Sequence, residues 1–286
     1  MTASQIIALD LDGTVLKHGF RPNSDDSSQR MTSFFDPELG EAIRTLDEAG
    51  HHVIISTGRS VDATLPIVEE LRIRPEWVVA SNGAVTLKRD PLATRAYRRE
   101  FVEAFDPGDA LVKIRPHLLT AHFAVELVDG RFLYTKPIPS GTLPANQRQV
   151  EFEELLGVQA ARIIVFSPDH TVEDFLSAVE TLGLTHVSYA VGTASWLDIA
   201  PPGVTKASAL ETVRERLGVH PRDVFAAGDG RNDIDMLEWA GRMGDSVAMG
   251  QALPVVQAAA RRVTGTVDEG GLLAALRERF PVELGA

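Results

Sequence analysis

The feature that most constrains this chain is a set of four short apolar runs, each ending abruptly in a polar residue. Residues 6–9 (IIAL) run into Asp10, 53–56 (VIIS) into Thr57, 77–81 (WVVAS) into Asn82, and 224–228 (VFAAG) into Asp229. Continuous runs rich in β-branched residues, without polar alternation, predict strands buried on both faces, as in a parallel sheet. Helical patterns lie between them. Asp36 followed by Pro37 is a cap and first-turn signal, Leu39, Ala42, Ile43, Leu46 and Ala49 follow helical spacing, and Gly50 closes the segment. Further helices are expected over 65–71, over 206–217 with Gly218 as its stop, and over 232–240. Strands alternating with helices predict an α/β fold with a doubly wound parallel sheet. Ligands bind beyond the carboxyl ends of the strands in such sheets. Asp10, Thr57, Asn82 and Asp229 all stand at that end.

The middle of the chain has a different texture. Residues 85–199 carry alternating, strand-like pieces over 121–128, 131–136, 162–166, 186–191 and 196–199, with Gly130 at a hairpin-like turn and a helical pattern over 171–182. This predicts a catalytic core formed by 1–84 and 200–286, with an inserted α+β domain over 85–199. Residues 17–35 lack periodicity and contain Asn23-Ser24-Asp25-Asp26-Ser27-Ser28, which predicts a mobile loop beside the site.

Composition narrows the function. The formal net charge is −12, with no basic stripe of the kind a nucleic-acid binder presents. An acidic shell also disfavours anionic membranes. Without cysteine, any metal must be held by carboxylate, amide, imidazole or backbone groups, and the eight histidines form no metal-like cluster. The N-terminus has no basic segment followed by an apolar core, and no apolar run approaches the ~20 residues needed to span a bilayer. A soluble cytoplasmic protein, monomeric or a small homo-oligomer, with no nucleic-acid or membrane partner, is the expectation.

The chemistry-bearing residues sit at the strand ends. Asp10-Leu11-Asp12-Gly13-Thr14 places two carboxylates two residues apart, so one can attack phosphorus while the other moves protons. Gly13 allows the tight turn this requires. An ordinary acidic turn would use the same residue types. Gly228-Asp229-Gly230-Arg231-Asn232-Asp233 offers hard oxygen ligands suited to Mg²⁺, or else a capping loop before a helix. Ser56-Thr57-Gly58-Arg59 brings hydroxyl, backbone N–H and guanidinium groups to one strand end, all suited to phosphate oxygens. Lys206 opens a helix after Gly203-Val204-Thr205, against the helix dipole. A lysine there is otherwise solvated surface.

Taken together and in order, these motifs resemble the haloacid dehalogenase (HAD) superfamily of phosphohydrolases. Asp10–Thr14 matches its DxDGT motif, Thr57 its second, Lys206 its third, and Gly228–Asp233 its GDxxxD motif. Thr57-Gly58-Arg59, Ser81-Asn82-Gly83-Ala84, the run Leu197-Asp198-Ile199 through Lys206, Ala248-Met249-Gly250 and Asp268-Glu269-Gly270-Gly271 are similar to the Cof-type branch (class IIB), which carries a large α/β cap. The chain departs from that pattern at Gly230, where many relatives have Ser, at Gln251, which replaces a common Asn, and in a longer segment after the first motif.

The resemblance implies a Mg²⁺-dependent phosphatase. In it Asp10 is the nucleophile, and Asp12 protonates the leaving group and later activates water. The metal is held by Asp10, Asp12 (through its backbone carbonyl), Asp229 and Asp233. Thr57 and Lys206 hold the transferring phosphoryl, while Arg59, Asn82 and Asn232 line the phosphate or substrate side. The implied partner is a small phosphorylated metabolite, a sugar phosphate above all. A phosphomutase using the same aspartyl-phosphate, or a catalytically silent binding protein on this fold, are the alternatives.

Overall fold

The strand Ile6–Leu9 lies at the centre of the parallel sheet, with all four side chains fully buried. It is flanked by Val224–Gly228 and His52–Ser56, both parallel to it. Beyond Val224–Gly228 come Asp245–Ala248 and then Arg262–Val263, again parallel. A strand covered on both faces has no polar side to show, which is why its sequence does not alternate. Each fully buried Ile or Leu contributes roughly 1.5–3 kcal/mol of hydrophobic free energy. Ile6, Ile7 and Leu9 therefore anchor the strand whose next residue is Asp10.

In this computed structural model the chain divides into two compact units. One comprises Met1–Thr57, Ile67–Val78 and Leu210–Ala286; the other comprises Gly58–Pro66 and Val79–Ala209. The structure describes residues 4–19, 32–138, 143, 146–167, 169, 171, 188–191 and 196–285.

In the first unit the helix Pro37–Glu48 forms as its sequence predicts. Asp36 caps it by accepting a hydrogen bond from the Glu38 N–H at 2.8 Å, and Leu39, Ala42, Ile43 and Leu46 form its buried stripe. Gly50 follows at φ +89°, a left-handed turn that glycine adopts without strain. The stripe packs on His52–Ser56 and on the helices Gly271–Arg279 and Pro281–Leu284. The helix Ile234–Gly241 packs instead on Val224–Gly228, Asp245–Ala248 and the helix Pro254–Ala259. Helices thus cover strands along the sheet, giving the α/β architecture expected.

The second unit contains a six-stranded sheet in the order Gln147–Gln149, Phe132–Tyr134, His122–Leu127, Ala160–Phe166, Trp196–Ala200, Ser188–Val191. Gly130, at φ +89°, turns His122–Leu127 into the antiparallel Phe132–Tyr134. Residues two apart on a strand share a face. One face presents Phe123, Val125, Ile163, Val165, Leu197 and Ile199 to the helix Gly108–Ile114 and to Phe152 and Leu155. The other presents Ala124 and Ile164 to Phe132, with Glu126, Arg162 and Asp198 in register beside them.

Several expectations shift in detail. The helix expected over 65–71 spans Val61–Glu70 and carries Pro66 inside it. The helix expected over 232–240 starts as a 3₁₀ turn, Arg231–Asp233, and becomes α-helical only at Ile234. The aperiodic 17–35 segment is not all loop. Lys17–Gly19 pairs antiparallel with Thr32–Phe34, a pairing between separated pieces that local periodicity cannot reveal. Residues 20–31 of that segment, and nearly all of the helix expected over 171–182, lie outside the described residues. Val85–Arg89 and Tyr97–Val102 form a further antiparallel pair, which none of the strand-like patterns in the sequence predicts.

Candidate active site

Asp10 follows directly on the central strand. Its N–H donates to the Ala227 carbonyl at 3.1 Å, continuing the ladder between the two strands, and the residue is 4% exposed. The chain then doubles back. The Leu16 N–H donates to the Leu11 carbonyl at 2.7 Å and the Gly13 N–H to the Leu16 carbonyl at 3.0 Å. Val15 and Leu16 are buried, which pins the turn from below. Gly13 has φ +78°, and a Cβ there would lie 2.1 Å from Asp229 Oδ2 and 2.6 Å from its Cγ. Only glycine lets this backbone rest on the Asp229 carboxylate.

The second acidic loop is built with similar closeness. Asp233 is fully buried, and its Oδ2 accepts from the N–H groups of Asp229 (3.0 Å) and Gly230 (2.9 Å). A Cβ on Gly228 would meet Asp233 Cγ at 2.5 Å. The sequence left metal ligation and capping open for this loop. Asp233 does cap it, and its carboxylate also belongs to an acidic cluster. Asp10, Asp229 and Asp233 each offer one oxygen, and these oxygens lie within 4.8 Å of one another. The Asp12 carboxylate is not in that group. Asn232 lies against the same loop, its Oδ1 2.3 Å from where a Gly230 Cβ would stand.

Three carboxylates brought so close, two of them buried, repel one another unless a cation neutralises them. The donors are all oxygen, which fits a hard divalent ion such as Mg²⁺ and not a thiolate- or imidazole-loving metal. Gln251, noted from the sequence only as a departure from the family pattern, joins the two loops. Its amide nitrogen donates to the Gly13 carbonyl at 2.6 Å and to Asp229 Oδ2 at 3.3 Å, while its Oε1 accepts from the Val267 N–H at 3.0 Å.

Thr57 ends the first segment of the first unit and is fully buried. Arg59, Asn82 and Lys206 belong to the second. Lys206 is 1% exposed, against the solvated position usual for a lysine. Gly83, at φ +99°, would place a Cβ 2.2 Å from the Thr205 carbonyl oxygen. The Ser81–Gly83 turn therefore rests directly on the residue before Lys206, which accounts for the glycine in that motif. Ser81 and Asn82 themselves sit in the left-handed region, at φ 51° and 55°. The Ser81 N–H donates to the Arg59 carbonyl at 2.8 Å, tying the two turns together. Asn82 donates from Nδ2 to Asp198 Oδ2 at 3.4 Å. Burial pushes the Asp198 carboxyl above its ordinary range, opposed by the Arg162 guanidinium.

A family model for haloacid dehalogenase-like hydrolases matches residues 7–276. The chain belongs to this family. It is 27% identical over 294 residues to the 5-amino-6-(5-phospho-D-ribitylamino)uracil phosphatase YitU of Bacillus subtilis (strain 168), with 98% of each chain covered. It is 29% identical over 280 residues to the phosphoglycolate phosphatase of Natronomonas pharaonis, covering 94% of this chain and 95% of the relative. Among solved structures, the HAD subclass IIB sugar phosphatase BT4131 superposes with a TM-score of 0.75 at 19% identity, covering 97% of this chain and 99% of that one. This HAD hydrolase is a Cof-type enzyme of the phosphatase class. No helix among the described residues is long and apolar enough to cross a membrane.

Proposed function

We propose that this HAD phosphatase hydrolyses a small phosphorylated metabolite, with a sugar phosphate as the favoured substrate class, in a Mg²⁺-dependent reaction through an aspartyl-phosphate on Asp10. The observation that carries the reading is the convergence of Asp10, Asp229 and Asp233 beside a turn that also supplies Asp12. A carboxylate at Asp10 attacks phosphorus, and the bond from phosphorus to the leaving oxygen breaks. Asp12 gives that oxygen its proton. In the second half Asp12 takes a proton from water, whose oxygen attacks the same phosphorus. Inorganic phosphate leaves and the Asp10 carboxylate is restored.

Asp10, Asp229 and Asp233, with the Asp12 carbonyl, are the residues we assign to Mg²⁺. The bound ion would neutralise charge on the phosphoryl group and offset its repulsion from Asp10. Thr57 and Lys206 are assigned to the equatorial phosphoryl oxygens. A lysine 1% exposed is held in a fixed place instead of being solvated at the surface, which suits that role. Arg59, Asn82 and Asn232 are assigned to the phosphate or substrate side, and the inserted region 85–199 to substrate choice. The phosphatases named among the relatives act on phosphorylated small molecules, a ribitylamino-uracil phosphate and phosphoglycolate, which supports the class without selecting a member.

The test is phosphate release from a panel of sugar phosphates, other phosphorylated metabolites and an aryl phosphate, with Mg²⁺ and with chelator. Mg²⁺-dependent release is expected, lost with chelator and restored by added Mg²⁺. Release that persists in chelator would defeat the metal assignment. Transfer of phosphate to sugar without release would defeat hydrolysis.

A further inference from the structure

The second unit contains a buried charge cluster to which the reaction above assigns no task. Arg162 lies in the strand Ala160–Phe166, 4% exposed. Its cross-strand partner is Glu126, fully buried, whose Oε2 accepts from Arg162 Nε at 3.0 Å. On the other neighbouring strand Asp198 accepts from Arg162 Nη1 through Oδ1 at 3.3 Å. The same Nη1 donates to the Gly58 carbonyl at 2.6 Å. Three adjacent strands thus each contribute one charged residue to the cluster, Arg99 of Tyr97–Val102 adds a second guanidinium 3.5 Å from Glu126 Oε1, and the Arg162 guanidinium reaches the turn of the Thr57-Gly58-Arg59 motif.

The cluster reaches the second motif turn as well. Glu126 Oε2 accepts from Ser81 Oγ at 2.8 Å, and Asp198 Oδ2 from Asn82 Nδ2 at 3.4 Å. Ser81 and Asn82 occupy left-handed backbone, which disfavours residues with a side chain and persists where surroundings enforce it. Here both side chains are held by the carboxylates that Arg162 balances. A charge cluster is a weak source of stability when buried, because desolvation offsets attraction. Its geometry, a planar fork shared among three acceptors, is suited instead to fixing position.

We propose that Arg162 is a positioning residue for phosphate handling: through Gly58, Glu126 and Asp198 it sets the paired turns that carry Arg59 and Asn82. This rests on the assignment of Arg59 and Asn82 to the phosphate or substrate side. The Ser81 N–H bond to the Arg59 carbonyl ties the two turns to each other. A lysine at 162 keeps the charge but lacks the fork, so it cannot reproduce all three bonds at once.

The experiment compares wild type, Arg162→Lys and Glu126→Gln as full chains, by hydrogen exchange, thermal melting, Mg²⁺ titration, and kcat and KM on the aryl phosphate. Arg162→Lys is expected to melt within a few degrees of wild type. Exchange should rise at least ~10-fold at the Ser81 and Ala84 amides, with no change across 10–14 and 228–233. Mg²⁺ affinity should hold within twofold while kcat/KM falls ~10- to 100-fold, since an ~1 Å misplacement costs about that much. Glu126→Gln, which keeps shape and removes charge, should show the same pattern more weakly. A folded Arg162→Lys with unchanged exchange in these turns, or with unchanged kcat/KM, overturns the proposal. A wild-type protein that hydrolyses nothing refutes the phosphatase reaction instead, and the exchange comparison then decides alone whether Arg162 holds the two turns.

Discussion

Replacing Gly13 with alanine tests how the two acidic loops are fitted together. The added Cβ would stand 2.1 Å from Asp229 Oδ2 and 2.6 Å from Cγ. Restoring an ordinary 3.4 Å contact from 2.1 Å needs about 1.3 Å of displacement, taken by the carboxylate or by the turn carrying Asp12. The backbone at φ +78° adds a cost of about 1–2 kcal/mol for any residue with a Cβ. Gln251, bonded to both the Gly13 carbonyl and Asp229, would be pulled out of place with them. Mg²⁺ tolerates little deviation from ligand distances of about 2.0–2.1 Å, and ~1 Å of misalignment costs ~100-fold in rate. Gly13→Ala is therefore expected to lower Mg²⁺ affinity at least ~10-fold and phosphate release ~100-fold or more, with a stability loss of about 1–2 kcal/mol. Calorimetric Mg²⁺ titration, steady-state phosphate release and a denaturant melt measure the three. A folded Gly13→Ala that binds Mg²⁺ within threefold of wild type and retains most of its activity would refute the fit described.

Other predictions concern single groups. Asp10→Asn keeps the size of a side chain that is 4% exposed and removes its negative charge; the fold should persist in a melt while phosphate release falls almost to nothing, and retention of most activity would sink the nucleophile assignment. Glu211 is held down to about 2 by the two hydrogen bonds from Arg214, with Trp239 Nε1 as a further donor. Because its folded value lies below its ordinary 4.5, this contribution is full above about pH 4.5 and is lost as pH falls toward 2. With the carboxylate 41% exposed, screening reduces it to about 1 kcal/mol. Melting temperatures of wild type and Glu211→Gln should converge at low pH; a gap that stays constant from pH 6 to pH 2 would contradict this.

The candidate-site motifs were legible because each is local. Asp10, Asp12 and Gly13 stand within four residues, Asp229, Gly230 and Asp233 within five, and each group follows an unbroken apolar strand. The sequence also signalled Gly83, although its reason, the Thr205 carbonyl beneath it, is a long-range contact. Lys206 was visible as a cation at a helix start, while its burial was not. Gln251 could be noted only as a deviation, because the loops it joins lie 238 and 22 residues away in sequence. Glu126 and Arg162 gave no signal at all. They sit in alternating strands where a charge on one face reads as solvent-exposed, and only the pairing of three strands turns that face inward around them.

Sequence alone determined the alternation of strands and helices, the strand that delivers Asp10, and the carboxylates available for chemistry. Those follow from periodicity, capping and residue type, which act within a few residues. Tertiary structure decided which carboxylates converge, how Gly13 fits against Asp229, and how Arg162 grips two turns of the chain. These depend on distances between segments far apart in sequence, and only packing and strand register set such distances.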